Sequence, residues 1–123
     1  MILPKNAEDV DFVKNQTISI SDIINNRKEL LRWLQDASWG VFNTVGNILR
    51  PNILLFKPDL FRIIMSNDLD WGMNILSFLI IGNAENVDAE IITFMKSLTK
   101  TEKRVDILEL LEEASEVFGF DVE

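Results

Sequence analysis

The stretch WGMNILSFLIIGN at residues 71–83 constrains the fold more than any other feature of this sequence. Between Met73 and Ile81 only two residues are polar. A helix that is apolar on all sides must be surrounded, either by other helices of the chain or by a partner. The uncharged run is 14 residues long, whereas a membrane-spanning helix needs about 20. We therefore predict a buried central helix at about 69–81 and no membrane span.

Capping signals predict short helices on both sides of the central helix. Ser19 or Ser21 can cap a first helix, and the Ser66–Asp68 segment can cap the central one. Further helices are expected from about Lys57 and from Asp88 to about Leu98. The spacing of Thr99 and Glu102 fits a capping box that would begin the last helix.

Glycines predict where helices weaken or stop. Gly40 and Gly46 weaken the helical run between Trp39 and Leu49 and are candidates to break it. Gly82-Asn83 and Gly119 are predicted C-terminal stops, because glycine accepts a left-handed backbone. We predict an all-α fold: a compact bundle of five to six short helices in one domain over 1–123, with residues 1–18 as an extended or poorly ordered lead.

One internal echo is visible. Ser38-Trp39-Gly40, with Gly46-Asn47 after it, is echoed by Asp70-Trp71-Gly72 with Gly82-Asn83 after it. The tryptophans are 32 residues apart, which is near the length of a helical repeat. The gaps between the paired motifs differ, and two units are too few for a solenoid. We therefore interpret the echo as chance.

The net charge of −8 comes entirely from residues 51–123, and seven acids follow Arg104 with no base among them. Five carboxylates step along the predicted last helix by four, three, four and three residues: Glu102, Asp106, Glu109, Glu113 and Glu116. Such spacing places them in one stripe. The stripe is interpreted either as a solvated face, or as a docking site for a basic partner or an imitation of the phosphate row of nucleic acid. Direct nucleic-acid binding is not expected, because no basic patch is available.

The residue inventory argues against an enzyme. The chain has no histidine, cysteine or tyrosine, so the usual neutral-pH base, a thiolate nucleophile and the nitrogen and sulfur ligands of zinc are missing. The segment Asp68–Gly72 does not match a calcium loop, because glycine falls at position 5 and leucine at position 12. We expect no catalytic residue, no metal site and no cofactor.

The expected partner is another protein or a second copy of the chain. Tryptophan is favoured at interaction hot spots, and Trp39 is the tryptophan that we predict to be exposed. The N-terminus lacks the basic and apolar regions of a signal peptide, so we expect a cytoplasmic protein, in the host cytoplasm if a phage encodes it.

About half of the chain resembles the phage and prophage tail assembly chaperones in its layout. The segment that carries the resemblance is LFRIIMSNDLDWGMNILSFLIIGNAENVDAEIITFMKSLTKTEKRVDILELLEEASEVFGF. The resemblance implies a non-catalytic chaperone that coats the apolar tape-measure protein before tail assembly, and it implies no particular functional residue.

The leading expectation for function is therefore a non-catalytic, protein-binding helical module that shields apolar helices of a partner, as an assembly chaperone does. The alternative is an acidic inhibitor or immunity protein, of the nucleic-acid mimic type, which blocks a basic site on an enzyme through the carboxylate stripe.

Overall fold

The computed structural model describes residues 1–122, and all regular structure in that range is helical, which confirms the predicted all-α class. The α-helices are short: α1 Ile20–Asn25, α2 Arg27–Arg32, α3 Val41–Leu49, α4 Lys57–Ile64, α5 Leu69–Asn74, α6 Ala89–Thr101 and α7 Val105–Phe118. Segments of other helical pitch join some of them: the 3₁₀ segment Arg50–Phe56, the π segment Ile75–Ile80 and the 3₁₀ segment Ile81–Asn86.

Side-chain caps fix where several of these helices begin. The Ser19 hydroxyl accepts a hydrogen bond from the Asp22 N–H, and the Asp22 carboxylate accepts one from the Ser19 N–H, both at 3.0 Å. Asp68 and Asp88 each accept from the backbone N–H three residues later, at 3.1 and 3.0 Å. These bonds satisfy donors that the first helical turn leaves free. The caps predicted at Ser19 and Asp68 are confirmed, and so is the stop at Gly119, whose φ is 74°.

Within residues 1–122, six of the α-helices form three helical hairpins. Helix α2 pairs with α3, α4 with α5, and α6 with α7. The members of each pair are joined by the short connections 33–40, 65–68 and 102–104, which favour side-by-side packing of neighbouring helices.

The three hairpins stack so that their first helices form one layer and their second helices another. Arg27 of α2 donates to the Asp59 carboxylate of α4 at 2.8 Å, and the ring of Phe61 in α4 stacks on that of Phe94 in α6, with centroids 4.1 Å apart. In the second layer, α3 contacts the π segment that continues α5, and α5 contacts α7. The core lies between the two layers.

Side chains of each later hairpin also donate to carbonyl groups near the end of the preceding first helix. Three such bonds span the same separation of 40 residues: Trp71 Nε1 to Leu31 O at 2.9 Å, Asn74 Nδ2 to Leu34 O at 2.9 Å and Arg104 Nη2 to Ile64 O at 2.7 Å. Carbonyl groups at a helix C-terminus have no partner inside the helix, so these bonds both satisfy them and fix one hairpin on the next.

The two halves of the tryptophan echo lie in the first and second hairpins but in different elements. Trp39 lies in the connection before α3, whereas Trp71 lies within α5. Gly46-Asn47 lies within α3, and Gly82-Asn83 lies in the 3₁₀ segment Ile81–Asn86. The two motifs therefore do not occupy equivalent positions, and the interpretation of the echo as chance stays a prediction.

The central helix is covered by the rest of the chain. It runs through α5 into the π segment, in which four side chains are fully buried: Ile75, Leu76, Leu79 and Ile80. Its end differs from the prediction, because Gly82 does not adopt a left-handed backbone. The 3₁₀ segment Ile81–Asn86 follows instead, and the Asn83 amide donates to Leu79 O at 3.0 Å and to Arg50 O at 2.8 Å.

The lead, residues 1–18, forms turns and extended stretches without regular helix or strand. It is packed against the first hairpin. Pro4 and Phe12 are buried, and the carbonyl of Ala7 accepts from the Val41 N–H at 2.8 Å at the start of α3. The lead therefore covers one end of the stack.

Two local predictions are wrong. Gly46 does not break α3, because the helix continues through it and the ring of Phe78 packs where a Cβ atom would lie. Thr99 and Glu102 do not cap the last helix, because α6 continues to Thr101 and α7 begins only at Val105, without a side-chain cap.

Candidate functional site

Helix α7 carries an exposed row of carboxylates, which we call the acidic face of α7. The opposite side of the helix packs into the core through Ile107, Leu111 and Ala114. Because buried side chains recur every three to four residues, the positions on the opposite side of the helix face outward. The acidic face consists of five exposed residues: Asp106, Glu109, Glu112, Glu113 and Glu116.

Glu112 belongs to this face although the predicted stripe omitted it. It lies three residues after Glu109 and four before Glu116, so the three share one side of the helix, opposite the buried residues. The signal was present in the sequence. The predicted stripe steps along the sequence by four or three residues from Glu102, and these steps pass over Glu112. Glu102 itself lies before the first residue of α7.

Glu102 is separate from the acidic face, which corrects the predicted stripe. It lies at the end of α6, where its carboxylate accepts from Arg104 Nε at 2.8 Å and from Nη2 at 2.9 Å. The backbone N–H groups of Lys103 and Arg104 donate to the same carboxylate. The hydrogen bonds from the Arg104 guanidinium, helped by these backbone donors and opposed by burial, lower the pKa of Glu102 to about 2.

The Arg104 guanidinium also joins two hairpins. Besides holding Glu102, it donates to Ile64 O at 2.7 Å, at the last residue of α4, and to Ser66 O at 2.8 Å, just after that helix. Only 8% of the Glu102 side chain is exposed. Glu102 and Arg104 therefore form a structural pair between the second and third hairpins, and Glu102 is withdrawn from the surface that a partner would meet.

The acidic face of α7 is a continuous row of carboxylates with no base near it. Among residues 1–122, none of its five carboxylates lies within 4.0 Å of a lysine or arginine nitrogen. By contrast, Asp59 is held by Arg27 and Arg62, and Asp88 by Lys57, at 2.7 to 2.8 Å. The negative potential of α7 is therefore left uncompensated at the protein surface.

Most of the bases lie in the other layer of the fold. Seven of the 12 bases are on the first helices of the three hairpins: Arg27, Lys28, Arg32, Lys57, Arg62, Lys96 and Lys100. Positive charge is thus concentrated on the first helices of the hairpins, and negative charge is concentrated on α7.

Trp39 lies in the first hairpin, away from the acidic face in the third. It is half-buried in the connection 33–40, and its ring meets the ring of Trp33 edge to face, with centroids 5.7 Å apart and planes at 70°. Our prediction that Trp39 is exposed is thus only partly met, because the neighbouring tryptophan covers part of it. The structure does not place Trp39 and the acidic face on the same hairpin.

Neither a metal site nor a membrane span emerges in the described part of the chain. No group of three or more histidine, cysteine, aspartate or glutamate side chains within residues 1–122 is arranged to hold a metal ion. In the same range, no helix combines the length and the apolar character that crossing a bilayer would require.

Comparison with known proteins identifies the family to which the chain belongs. No curated protein and no solved structure matches the chain significantly. The model of a family described as "Domain of unknown function (DUF5071)" matches residues 2–118, which include all three hairpins and the acidic face of α7. The chain therefore belongs to the DUF5071 family.

Proposed function

We propose that this protein is a non-catalytic, protein-binding module that engages a basic surface of a partner protein in the cytoplasm through the acidic face of α7. The observation that carries the proposal is the row of five exposed carboxylates with no base beside it. The occupant best suited to such a face is a cluster of lysine and arginine side chains.

The arrangement costs the free protein stability. Carboxylates three and four residues apart on a helix repel each other by a few tenths of a kcal/mol per pair. Glu112, Glu113 and Glu116 also lie in the last two turns of α7, where the helix dipole favours cations. A basic partner removes both penalties. It is also attracted over a distance, so association should be fast and should weaken as salt is added.

The burial of the central helix supports binding by charge over the coating of long apolar helices. A chaperone that coats a partner's apolar helices along their length needs an extensive apolar surface, larger than a row of single exposed side chains. Here the most apolar segment, the π segment Ile75–Ile80, is enclosed by neighbouring helices, and four of its side chains are fully buried. We therefore place the inhibitor or immunity form of the proposal ahead of the assembly chaperone form.

Charge reversal tests the proposal. The triple variant Glu109→Lys, Glu112→Lys and Glu116→Lys should lose the partners that the wild-type protein retains from a lysate of the organism that encodes it. A matched control, Asp11→Lys with Glu85→Lys and Asp121→Lys, changes the net charge equally at exposed positions outside α7. Partners that survive reversal of the acidic face but are lost with the control would refute the proposal.

A further inference from the structure

The turns of the three hairpins form a second surface, which we call the hairpin edge: the connections 33–40, 65–68 and 102–104 with the first turns of α5 and α7. Three open clefts run along it. Two of them share Gln35 and are therefore neighbours. The third is lined by Met65 and Asn67, in the connection that leads to Asp70 of the second cleft. The hairpin edge therefore spans all three hairpins.

Each hairpin contributes a large apolar side chain to this edge. The first contributes Trp39, which is half-buried; the second contributes Met73, which is half-buried, and Met65, which is 57% exposed; the third contributes Val105, which is 66% exposed. Methionine side chains adapt to different partners, and tryptophan is the commonest kind of binding hot spot. These apolar side chains therefore give the hairpin edge the composition of an adaptable binding surface.

Acids lie between the apolar side chains. Asp36, Asp68 and Asp70 are all exposed. The arginine of the edge, Arg104, is held by Glu102 at 2.8 Å. Lys103 is the remaining base of the connection 102–104. The hairpin edge is thus apolar with a negative balance, and Val105-Asp106 connects it directly to the acidic face of α7.

We propose that the hairpin edge docks a basic amphipathic helix of the partner, in which large apolar side chains alternate with lysine and arginine. The inference rests on the proposed function, because it names the chemistry of the segment that meets this protein beside the acidic face. Packed helices lie about 8–10 Å apart, and a partner helix rises about 1.5 Å per residue. The apolar positions of successive hairpins therefore match residues about five to seven apart on the partner helix.

Synthetic peptides test the proposal. The probe is an amphipathic helix of leucine and lysine; the comparison peptide has the same lysines with serine in place of leucine. We expect the leucine–lysine peptide to bind more tightly and to shift the indole N–H signal of Trp39 in NMR spectra. The serine–lysine peptide should bind the acidic face of α7 and leave that signal in place.

Variants of exposed residues locate the binding without disturbing the core. Met65→Ser with Asp70→Lys should weaken the leucine–lysine peptide about thirtyfold, which is the size of one binding hot spot, and should affect the serine–lysine peptide much less. The matched control, Ile20→Ser with Leu54→Ser, alters exposed apolar residues elsewhere and should change neither affinity.

The outcomes separate the two proposals. If the serine–lysine peptide binds in a way that depends on Glu109, Glu112 and Glu116, but leucine adds no affinity and Trp39 does not respond, the hairpin edge is refuted and the acidic face stands. Binding that depends on Ile20 and Leu54 would also refute the hairpin edge. If neither peptide binds, both proposals fall.

Discussion

Replacing Glu102 by glutamine tests whether the pair of Glu102 and Arg104 fixes the third hairpin to the second. Glutamine keeps the size of the side chain but removes the charge that receives two guanidinium bonds, at 2.8 and 2.9 Å. Its amide NH₂ would also face the donors of Arg104. The substitution therefore isolates the electrostatic part of the pair from its packing.

The magnitude follows from the pKa of Glu102, which is about 2 in the folded protein against an ordinary value of 4.5. Because the folded pKa is lowered, the pair stabilises the fold fully above pH 4.5 and loses this contribution as the pH falls towards 2. The ceiling is roughly 3 kcal/mol at neutral pH. Since 29% of the Arg104 side chain is exposed, solvent screening reduces the expected value to about 2 kcal/mol.

Urea unfolding at several pH values measures the effect without adding salt. We expect Glu102→Gln to be about 2 kcal/mol less stable than the wild type at neutral pH, and the gap to close as the pH approaches about 2. The other carboxylates titrate in both proteins, so their contributions cancel in the difference. Glu113→Gln on the acidic face serves as the control and should change stability by only a few tenths of a kcal/mol. A gap that is independent of pH, or no gap, would refute the reasoning.

Three further substitutions test the packing, each measured by urea unfolding at neutral pH. Gly46→Ala should destabilise the protein by about 1–3 kcal/mol, because the new Cβ would lie 2.8 Å from Cδ1 of the Phe78 ring. That ring is confined by Phe42 and Arg50. Wild-type stability of the variant would show that Phe78 moves freely. Asp59→Asn should cost about 1–2 kcal/mol, because the buried amide cannot hold Arg27 and Arg62 as the carboxylate does at 2.7 to 2.8 Å. The cost is limited because the two arginine side chains are 36% and 62% exposed and regain water, and unchanged stability would contradict this. Ser19→Ala should cost about 1 kcal/mol through loss of the capping box, and an unchanged midpoint would mean that α1 does not need it.

The sequence predicted the features that depend on local patterns. The all-α class, the buried central helix and the caps at Ser19 and Asp68 follow from short-range spacing and from the chemistry of the first helical turn. The exposed carboxylates of α7 were also predictable, apart from Glu112, because the buried side chains of that helix recur with helical spacing.

The features that the sequence did not predict depend on distant contacts. The Thr99 and Glu102 pattern fits a capping box, but Glu102 is held by Arg104, whose guanidinium also binds carbonyls some 40 residues earlier. Likewise, Gly46 stays within α3 because a ring from the π segment needs the space that a side chain would fill. Local spacing contains no information about either contact.

The stacking of the hairpins shows the same limit at a larger scale. The hydrogen bonds from Trp71, Asn74 and Arg104 reach carbonyls of the preceding hairpin, each 40 residues earlier. Spacing within a single helix gives no sign of bonds over that distance.

The most direct test of the central claim is the salt dependence of association with a partner retained by the wild-type protein. Surface charge attracts a partner over a distance that salt shortens, so the association rate should fall steeply between about 50 and about 300 mM NaCl. Neutralising the acidic face with Glu109→Gln, Glu112→Gln and Glu116→Gln should lower the rate at low salt and flatten its dependence on salt. Equal rates and equal slopes for the two proteins would contradict the account.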